Sequence, residues 1–143
     1  MQKVFVCDDD SISLTMTGMI LQKHYDIKIC NNPLEALAII HEFKPDIIIL
    51  DIMMPNLNGI DLARKIISTE GRGIPIIFLS ACEYTDTIKD AFVAGGFDYV
   101  IKPIVRKTIL KKIEYCLATR GSISTPLDIG INHMDVLANL LLR

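Results

Sequence analysis

Two aliphatic runs that do not alternate with polar residues most restrict the fold of this chain. Residues 47–50 read Ile-Ile-Ile-Leu, and residues 74–79 are apolar throughout, with Pro75 as the one residue that is not a strand former. A strand with one face in water alternates apolar and polar residues, whereas a strand covered on both faces is apolar along its length. The two runs therefore predict buried strands of a parallel sheet with helices on both faces.

Five apolar runs of this type are spread along the chain, and each is followed by a turn or helix-start signal. The predicted strands cover residues 3–7, 27–30, 46–50, 74–79 and 99–101. They are short and rich in Val and Ile, which pack well in a sheet. Their spacing leaves room for one helix after each strand.

Helical patterns fill the intervals between the strands. A first helix is predicted from apolar residues at helical spacing, namely Ile12, Met16, Met19 and Ile20. A second begins at Asn32 as N-cap, with Pro33 at the first helical position and Glu35 at the capping-box position. Two more cover about residues 60–69 and 85–94 and stop near glycines. A fifth is predicted from apolar residues four apart, namely Val105, Ile109, Ile113 and Leu117.

Alternating strands and helices of this kind form right-handed βαβ crossovers. Five strands with five helices fit a flavodoxin-like, doubly wound α/β fold with a parallel sheet in the order 2-1-3-4-5. In such folds the functional site lies beyond the carboxyl ends of the strands, at the point where the winding direction changes. Here that point falls between the first and third strands.

Length and composition describe an ordinary globular domain. The chain has 143 residues, of which 50% are hydrophobic, and its net charge of −2 gives no general attraction to nucleic acid or an anionic membrane. The apolar start is too short for a signal peptide or a membrane span, so we expect a cytoplasmic protein. The cysteines lack metal-ligand spacing and are predicted to be small core residues: Cys7, Cys30, Cys82 and Cys116.

Residues 1–120 are predicted to form the domain, and residues 121–143 a linker and a short tail. The segment Gly-Ser-Ile-Ser-Thr-Pro at 121–126 is typical of a linker, and apolar residues continue to 142. The tail could be a short helix that docks on the domain or dimerises, or the opening of an output domain. We expect no direct nucleic-acid binding by this chain alone, because it holds no complete recognition helix.

Polar residues directly follow four of the predicted strands, and the fold would bring them to one edge of the sheet. They are Asp8, Asp9 and Asp10 after the first strand, Asp51 after the third, Ser80 after the fourth, and Lys102 with Pro103 after the fifth. Singly, each is typical of a helix cap or turn, and Asp10 is best interpreted as the N-cap of the first helix. Together they indicate a site.

The predicted cluster suits phosphoryl transfer. Asp8, Asp9 and Asp51 would repel one another, and a divalent cation relieves that repulsion. Oxygen ligands that leave room for water and phosphate favour Mg²⁺. A carboxylate beside the metal can attack a phosphoryl group, while Lys102 and Ser80 meet the charge on its oxygens.

Four segments of the sequence resemble the receiver domain of two-component response regulators. They are Val-Phe-Val-Cys-Asp-Asp-Asp (4–10), Ile-Ile-Ile-Leu-Asp-Ile-Met-Met-Pro-Asn-Leu-Asn-Gly (47–59), Phe-Leu-Ser-Ala (78–81) and Ala-Gly-Gly-Phe-Asp-Tyr-Val-Ile-Lys-Pro (94–103). The resemblance covers about residues 1–120. Ile104, where an aromatic residue often stands, and Gly95-Gly96-Phe97 depart from the usual pattern.

The resemblance implies a role for each matching residue. Asp51 matches the phosphoacceptor, Asp9 a direct metal ligand, and Asp8 an acid that reaches the metal largely through water. The backbone carbonyl of Met53 matches a further metal ligand. The remaining matches are a switch hydroxyl, a lysine that contacts the phosphoryl group, an aromatic switch and a cis-proline: Ser80, Lys102, Tyr99 and Pro103. For Tyr99, ordinary strand packing is the competing interpretation.

The implied function is a signalling switch, not an enzyme acting on an external substrate. A histidine kinase or phosphotransfer protein would phosphorylate Asp51 with Mg²⁺, and the change would alter the surface of helix 4, strand 5 and helix 5, which could also form a homodimer. Self-phosphorylation and autodephosphorylation would be its only reactions. The residues Met53 and Cys82, two positions beyond Asp51 and Ser80, position an attacking water poorly, so we expect a long-lived phosphoryl group.

Two other functions fit the sequence less well. An aspartyl-phosphate phosphohydrolase of the haloacid-dehalogenase type needs a second Asp two residues after the nucleophile, where this chain has Met53. A degenerate receiver that serves only as an interaction module would usually have lost an acid, the lysine or the hydroxyl. This sequence keeps all of them.

Overall fold

The computed structural model describes residues 1–71, 73–81 and 85–119, in which five strands alternate with five helices. The strands are β1 (Lys3–Cys7), β2 (Asp26–Cys30), β3 (Ile47–Asp51), β4 (Ile76–Ser80) and β5 (Asp98–Ile101). The helices are α1 (Ser11–Leu21), α2 (Ala36–Phe43), α3 (Gly59–Glu70), α4 (Thr85–Val93) and α5 (Arg106–Thr119). The predicted linker and tail at 121–143 lie outside the described residues, as does Cys82.

The strands form one parallel sheet in the order β2-β1-β3-β4-β5, which confirms the predicted flavodoxin-like topology. The register pairs Cys7 of β1 with Leu50 of β3, and Asp51 of β3 with Leu79 of β4. Consequently the residues just beyond Cys7, Leu50 and Leu79 emerge side by side at the carboxyl edge. The winding direction changes between β1 and β3, where the site was predicted.

Every residue of β3 and β4 is buried, as their uninterrupted apolar sequences require. Two core layers cover the sheet, one on each face. Residues of α2 and α3 pack in the layer that contains Phe5, Ile48 and Phe78. Residues of α1 and α5 pack in the layer that contains Val6, Ile49 and Leu79. Burial on both faces therefore holds the carboxyl edge of the central strands in place.

Helix α1 forms where it was predicted, but it packs through a different face. Leu14, Thr17, Gly18 and Leu21 are buried, whereas three of the residues used to predict the helix are exposed: Ile12, Met16 and Met19. The helix carries no charged residue, so its apolar residues do not mark one side. The helix packs on β2 without needing glycine at position 18, since a Cβ there would meet the side chains of Ile27 and Ile29 at an ordinary contact distance of 3.6 Å.

Helix starts and stops follow the predicted caps with one correction. The Asp10 side chain accepts hydrogen bonds from the backbone N–H groups of Ile12 and Ser13, so Asp10 caps α1. Asn32 accepts from the Leu34 N–H at 3.0 Å, but the first turn after it is a 3-10 helix at Pro33–Glu35, and α2 begins only at Ala36. Within the described part of the chain, no helix has the length and apolar character needed to cross a membrane.

Candidate functional site

Asp51 and Asp8 are the two buried acids at the carboxyl edge of the sheet. Asp51 is the last residue of β3 and is 4% exposed, and Asp8 follows β1 directly and is fully buried. The backbone N–H groups of Met53 and Asp10 donate to the Asp51 and Asp8 carboxylates at 3.3 Å and 3.0 Å. These local bonds fix one oxygen of each carboxylate by means of the turn that follows its strand.

Lys102 connects the two acids. Its Nζ atom lies 2.9 Å from Asp8 Oδ2 and 3.3 Å from Asp51 Oδ2. The lysine follows β5 directly, and its backbone N–H donates to the Ser80 carbonyl at 2.8 Å. Because residues from β1, β3 and β5 meet here, the predicted convergence of Asp8, Asp51 and Lys102 is found in the structure. The Lys102–Pro103 peptide bond is cis, in agreement with the resemblance.

The two acids differ in protonation. Burial, together with the neighbouring Asp8 carboxyl group, raises the pKa of Asp51 to about 7, although Lys102 acts in the opposite direction. Burial also raises the pKa of Asp8, but hydrogen bonds from Lys102 and the Asp10 N–H outweigh it and leave the pKa below its usual value. For Lys102, burial lowers the ammonium pKa, and the contacts with Asp8 and Asp51 outweigh burial and raise it. The site thus holds charges that only partly balance.

The acidic residues fit a hard divalent cation. Asp8, Asp9 and Asp51 each place a carboxylate oxygen within 4.8 Å of the other two. Asp9 is exposed, whereas Asp8 and Asp51 are buried, so the cluster opens to solvent on one side. Three carboxylates and one lysine leave a net negative charge, and oxygen-only donors with an open side suit Mg²⁺, which retains several waters. Met53 lies next to this cluster with a side chain that is 67% exposed.

Ser80 and Tyr99 occupy the two strands beyond Asp51. Ser80 ends β4 and is fully buried, one residue past the register partner of Asp51. Tyr99 lies on β5 opposite Phe78 and is half-buried. Its ring meets the ring of Phe92 edge-on, with centroids 5.9 Å apart and an interplanar angle of 82°. Both residues are therefore placed on the route from the acids to the outer edge of the sheet.

Lys112 of α5 reaches the same tyrosine and was not singled out from the sequence. Its ammonium lies 5.2 Å from the Tyr99 ring centroid and 3.0 Å from Asp98 Oδ1. Asp98 Oδ1 also accepts from the Tyr99 backbone N–H at 2.7 Å. In the sequence, Lys112 is only one of several lysines on a helix. Its contact with Tyr99 depends on where β5 runs, so the sequence alone could not reveal it.

Gly59 is a second residue whose contribution the sequence did not reveal. It begins α3, and a Cβ at this position would collide with the backbone carbonyl oxygen of Asp51. The Gly59 N–H donates to the Ile52 carbonyl at 2.9 Å, which holds the two backbones together. Gly59 thus allows the loop after β3 to close against Asp51, and the spacing of Asp51, Pro55 and Gly59 in the sequence was the available signal.

The cysteines behave as the sequence predicts where the structure describes them. Cys7, Cys30 and Cys116 are free and buried. Burial, with the nearby Cys30 thiol, raises the pKa of Cys7, so this thiol stays protonated. Its sulfur lies 3.7 Å from the sulfur of Met54, which packs in the same core layer. A protonated, buried thiol is a packing group, not a nucleophile.

Comparison with known proteins agrees with this geometry. The family model for the response regulator receiver domain matches residues 4–114. The chain is 30% identical over 144 residues to the DNA-binding response regulator MtrA of Mycolicibacterium smegmatis, covering 99% of this chain and 62% of that protein. It is 34% identical over 117 residues to the transcriptional regulatory protein BtsR of Salmonella typhi, covering 80% and 47%. The chain therefore spans about half to three-fifths of the length of these relatives.

Solved structures give the same result. The chemotaxis protein CheY4 of Vibrio cholerae aligns with a TM-score of 0.77 at 25% identity, covering 80% of this chain and 98% of that one. The receiver domain of the Francisella response regulator 1452 aligns with a TM-score of 0.76 at 27% identity, covering 84% and 99%. With the sheet order, the edge cluster and the family match together, the chain belongs to the response regulator receiver domains of two-component signal transduction.

Proposed function

We propose that this chain is a phosphorylation-dependent switch that accepts a phosphoryl group on Asp51 with Mg²⁺. The observation that carries the proposal is the position of Lys102, whose ammonium lies 2.9 Å from Asp8 and 3.3 Å from Asp51 at the edge of a three-acid cluster. A structural ion pair would need only one of these acids. A lysine shared between two buried carboxylates suits a site that must accept a further anionic group.

Asp8, Asp9 and Asp51 would hold the metal, with the Met53 backbone carbonyl as a further ligand. Bound Mg²⁺ supplies positive charge that favours ionised Asp51 and offsets the charge of phosphoryl oxygens. The cluster meets this need because its carboxylate oxygens already lie within 4.8 Å of one another. The metal would supply only part of the site's chemistry, and the remaining steps of the phosphoryl transfer would depend on protein side chains.

The reaction transfers phosphorus from nitrogen to oxygen. A carboxylate oxygen of Asp51 forms a bond to phosphorus as the phosphorus–nitrogen bond of a phosphohistidine breaks, and the electron pair of that bond returns to the imidazole nitrogen. The buried position of Asp51 excludes bulk water from the attacked face, and Lys102 meets the charge on the phosphoryl oxygens. Asp51 is modified once in each cycle, so the protein is a phosphoacceptor and not a classical enzyme.

Ser80 and Tyr99 would convert the new charge into a changed surface. The Ser80 hydroxyl would move to a phosphoryl oxygen, and the Tyr99 ring would then occupy the space that the hydroxyl leaves. Tyr99 contacts Phe92 of α4 and Lys112 of α5, so its displacement alters the face formed by α4, β5 and α5. A change of this kind is a population shift between two packings of the same face.

The proposed phosphodonor is a histidine kinase or a histidine phosphotransfer protein, and the face of α4, β5 and α5 is the proposed site of homodimer formation. MtrA is described as DNA-binding, and we propose that any such activity of a longer protein would belong to a segment beyond the receiver domain. The described residues, 1–71, 73–81 and 85–119, would contain the proposed switch, and the response would depend on what the switch contacts.

Direct labelling tests the proposal. The purified chain is incubated with Mg²⁺ and a small acyl phosphate, and the modified residue is identified by peptide mass spectrometry after borohydride reduction of the acyl phosphate. We expect one phosphoryl group, on Asp51, and none on an Asp51→Asn variant. Asp46→Asn is a matched control, because Asp46 lies at the opposite end of β3 and bonds the Lys3 N–H at 2.8 Å. Equal labelling of the Asp51→Asn variant would exclude the proposed site.

A further inference from the structure

Two side chains contact the Tyr99 ring near the outer edge of the sheet, and one of them is a cation. The ring is half-buried, the edge of Phe92 approaches from α4, and the Lys112 ammonium approaches from α5 at 5.2 Å from the ring centroid. An ammonium at this distance from an aromatic ring is attracted to its electron-rich face. The ring is therefore in contact with side chains of both α4 and α5.

Lys112 is itself held in place by a second contact. Its Nζ atom donates to Asp98 Oδ1 at 3.0 Å, and the same oxygen accepts from the Tyr99 backbone N–H at 2.7 Å. The side chains of Lys112 and Asp98 are 30% and 27% exposed, so the pair is only partly screened by solvent. Because one carboxylate oxygen binds both the lysine and the tyrosine backbone, the ammonium is fixed relative to the Tyr99 ring.

We propose that Lys112 is a positioning residue that holds Tyr99 in the partly exposed orientation seen in this structure, called outward below, and so sets how readily the switch responds to phosphorylation. This inference rests on the proposed function, because it assigns to Tyr99 an inward orientation in the phosphorylated state. To move inward, the ring must leave the ammonium while Asp98 keeps Lys112 in place. The contact is present only in the resting orientation, so it favours that state alone.

The expected size of the effect is modest and measurable. A cation–π contact at a partly exposed site changes an equilibrium by about two- to fivefold. Loss of the contact should therefore increase the ratio of inward to outward Tyr99 by about this factor in the unphosphorylated protein. The equilibrium constant for any complex that the phosphorylated face forms should increase by the same factor.

The test compares three variants of the full chain. Lys112→Met removes the charge and keeps an unbranched chain of similar length. Lys112→Arg keeps a cation that can contact both Asp98 and the ring. Lys111→Met removes an adjacent, exposed lysine of the same helix and serves as the control.

The readout is the exposure of the Tyr99 ring. The chain is labelled with 3-fluorotyrosine, the Tyr99 resonance is assigned with Tyr99→Phe, and broadening by a soluble paramagnetic agent is measured without phosphodonor. We expect the Lys112→Met variant to show a less accessible ring, and the Lys112→Arg and Lys111→Met variants to match the unmodified chain. If Lys112 merely covers the ring, its removal makes the ring more accessible, and that result or an unchanged ring overturns the proposal.

The experiment separates this inference from the proposed function. Ring exposure is measured in the unphosphorylated protein, whereas phosphorylation of Asp51 is measured by labelling. Failure of Asp51 labelling with a less accessible ring in Lys112→Met would reject the phosphoacceptor and keep the resting contact. Normal labelling with an unchanged ring would keep the phosphoacceptor and reject the positioning role of Lys112.

Discussion

Lys102 Nζ lies 2.9 Å from Asp8 Oδ2, in a position where the Asp8 side chain has no contact with solvent. The acid therefore depends on the lysine for its charge balance, in addition to the contact with a phosphoryl group that we propose for the lysine. In a metal-free protein this pair also stabilises the fold at the carboxyl edge. Removing the lysine would leave buried negative charge without a partner.

Lys102→Met should lower the free energy of unfolding by ~3 kcal/mol in metal-free buffer near pH 8, because an uncompensated buried carboxylate is costly. Urea denaturation with a chelator present measures the loss. Mg²⁺ should stabilise the variant more than the unmodified chain, since it can replace the missing positive charge. Lys111→Met, an exposed control, should change stability by less than about 0.5 kcal/mol. A Lys102→Met protein of unchanged stability would show that Asp8 does not need this partner.

The raised pKa of Asp51 predicts a pH dependence of stability. The carboxyl group titrates at about 7 in the folded protein and near 3.8 when unfolded, so between these values the folded state holds the extra proton. Stability without metal should therefore fall as pH rises from about 4 to about 7 and then level off. Asp8 has a lowered pKa, so its stabilisation is lost only as pH falls below its usual value near 3.8.

Asp51→Asn isolates this contribution. The variant should lose the decline between about pH 4 and pH 7 and should be more stable than the unmodified chain near pH 8, by on the order of 1–2 kcal/mol. Urea unfolding at a series of pH values in the presence of chelator provides the comparison. A decline that persists in Asp51→Asn would assign the titration to another group.

Metal binding should release a proton from the same carboxyl group. With the pKa of Asp51 at about 7, binding of Mg²⁺ near pH 6 should release roughly one proton, and binding near pH 8 far less. Calorimetry in buffers of different ionisation enthalpy counts the protons, and affinity should rise with pH. Asp51→Asn should bind more weakly and without this proton release. Negligible proton release near pH 6 would mean that Asp51 is already ionised in the metal-free protein at that pH.

Gly59→Ala should distort the site through the backbone. The added Cβ would collide with the Asp51 carbonyl, so we expect a loss of roughly 2 kcal/mol or more in stability and slower labelling of Asp51. Gly18→Ala is the matched control in another helix, since its Cβ would meet Ile27 and Ile29 at an ordinary 3.6 Å. That variant should gain about 0.5–1 kcal/mol. A similar gain in Gly59→Ala would contradict the close approach to Asp51.

The phosphoryl group should be long-lived. Met53 is 67% exposed beside Asp51, and its thioether is a poor group for positioning an attacking water. The predicted effect of Cys82 concerns a residue outside the described part of the chain. Phosphoprotein freed of excess donor should decay slowly in Mg²⁺, and Met53→Asn should shorten its half-life. Rapid decay of the unmodified protein would contradict the expectation.

Sequence alone predicted most of the fold and the convergence of Asp8, Asp51 and Lys102, because both depend on the order and the ends of the strands. The runs before Asp8 and Asp51 are apolar and almost entirely buried, whereas the strand before Lys102 is only partly buried. Strand order alone brings the residues at the ends of these strands together. A polar residue after such a run has few alternatives to lying at the edge. The placement of these residues at the sheet edge could be predicted without knowing any distance in the structure.

Features that depend on the facing of helices or on the path of the backbone could not be predicted. Helix α1 has no charged residue to mark its outer side, so the sequence could not show that Ile12, Met16 and Met19 are exposed. The 3-10 turn at Pro33–Glu35 occupies positions where the capping pattern predicts the first turn of an α-helix. Lys112 matters through its contact with Tyr99, which sequence spacing does not show. For Gly59, the spacing from Asp51 marks the position, but the close approach of the two backbones is visible only in the structure.

The hydrogen bond from the Lys102 N–H to the Ser80 carbonyl has a mechanical consequence. This 2.8 Å bond joins the backbone at the end of β4 to the backbone just after β5, so it continues the hydrogen bonding between the two strands. Any backbone displacement at one is carried to the other without passing through a side chain. In the switch that we propose, the lysine that meets the phosphoryl group and the hydroxyl that responds to it would therefore move together through the backbone. A substitution that changes how quickly the acid is modified without changing the signal would then have to act on side chains outside this hydrogen bond.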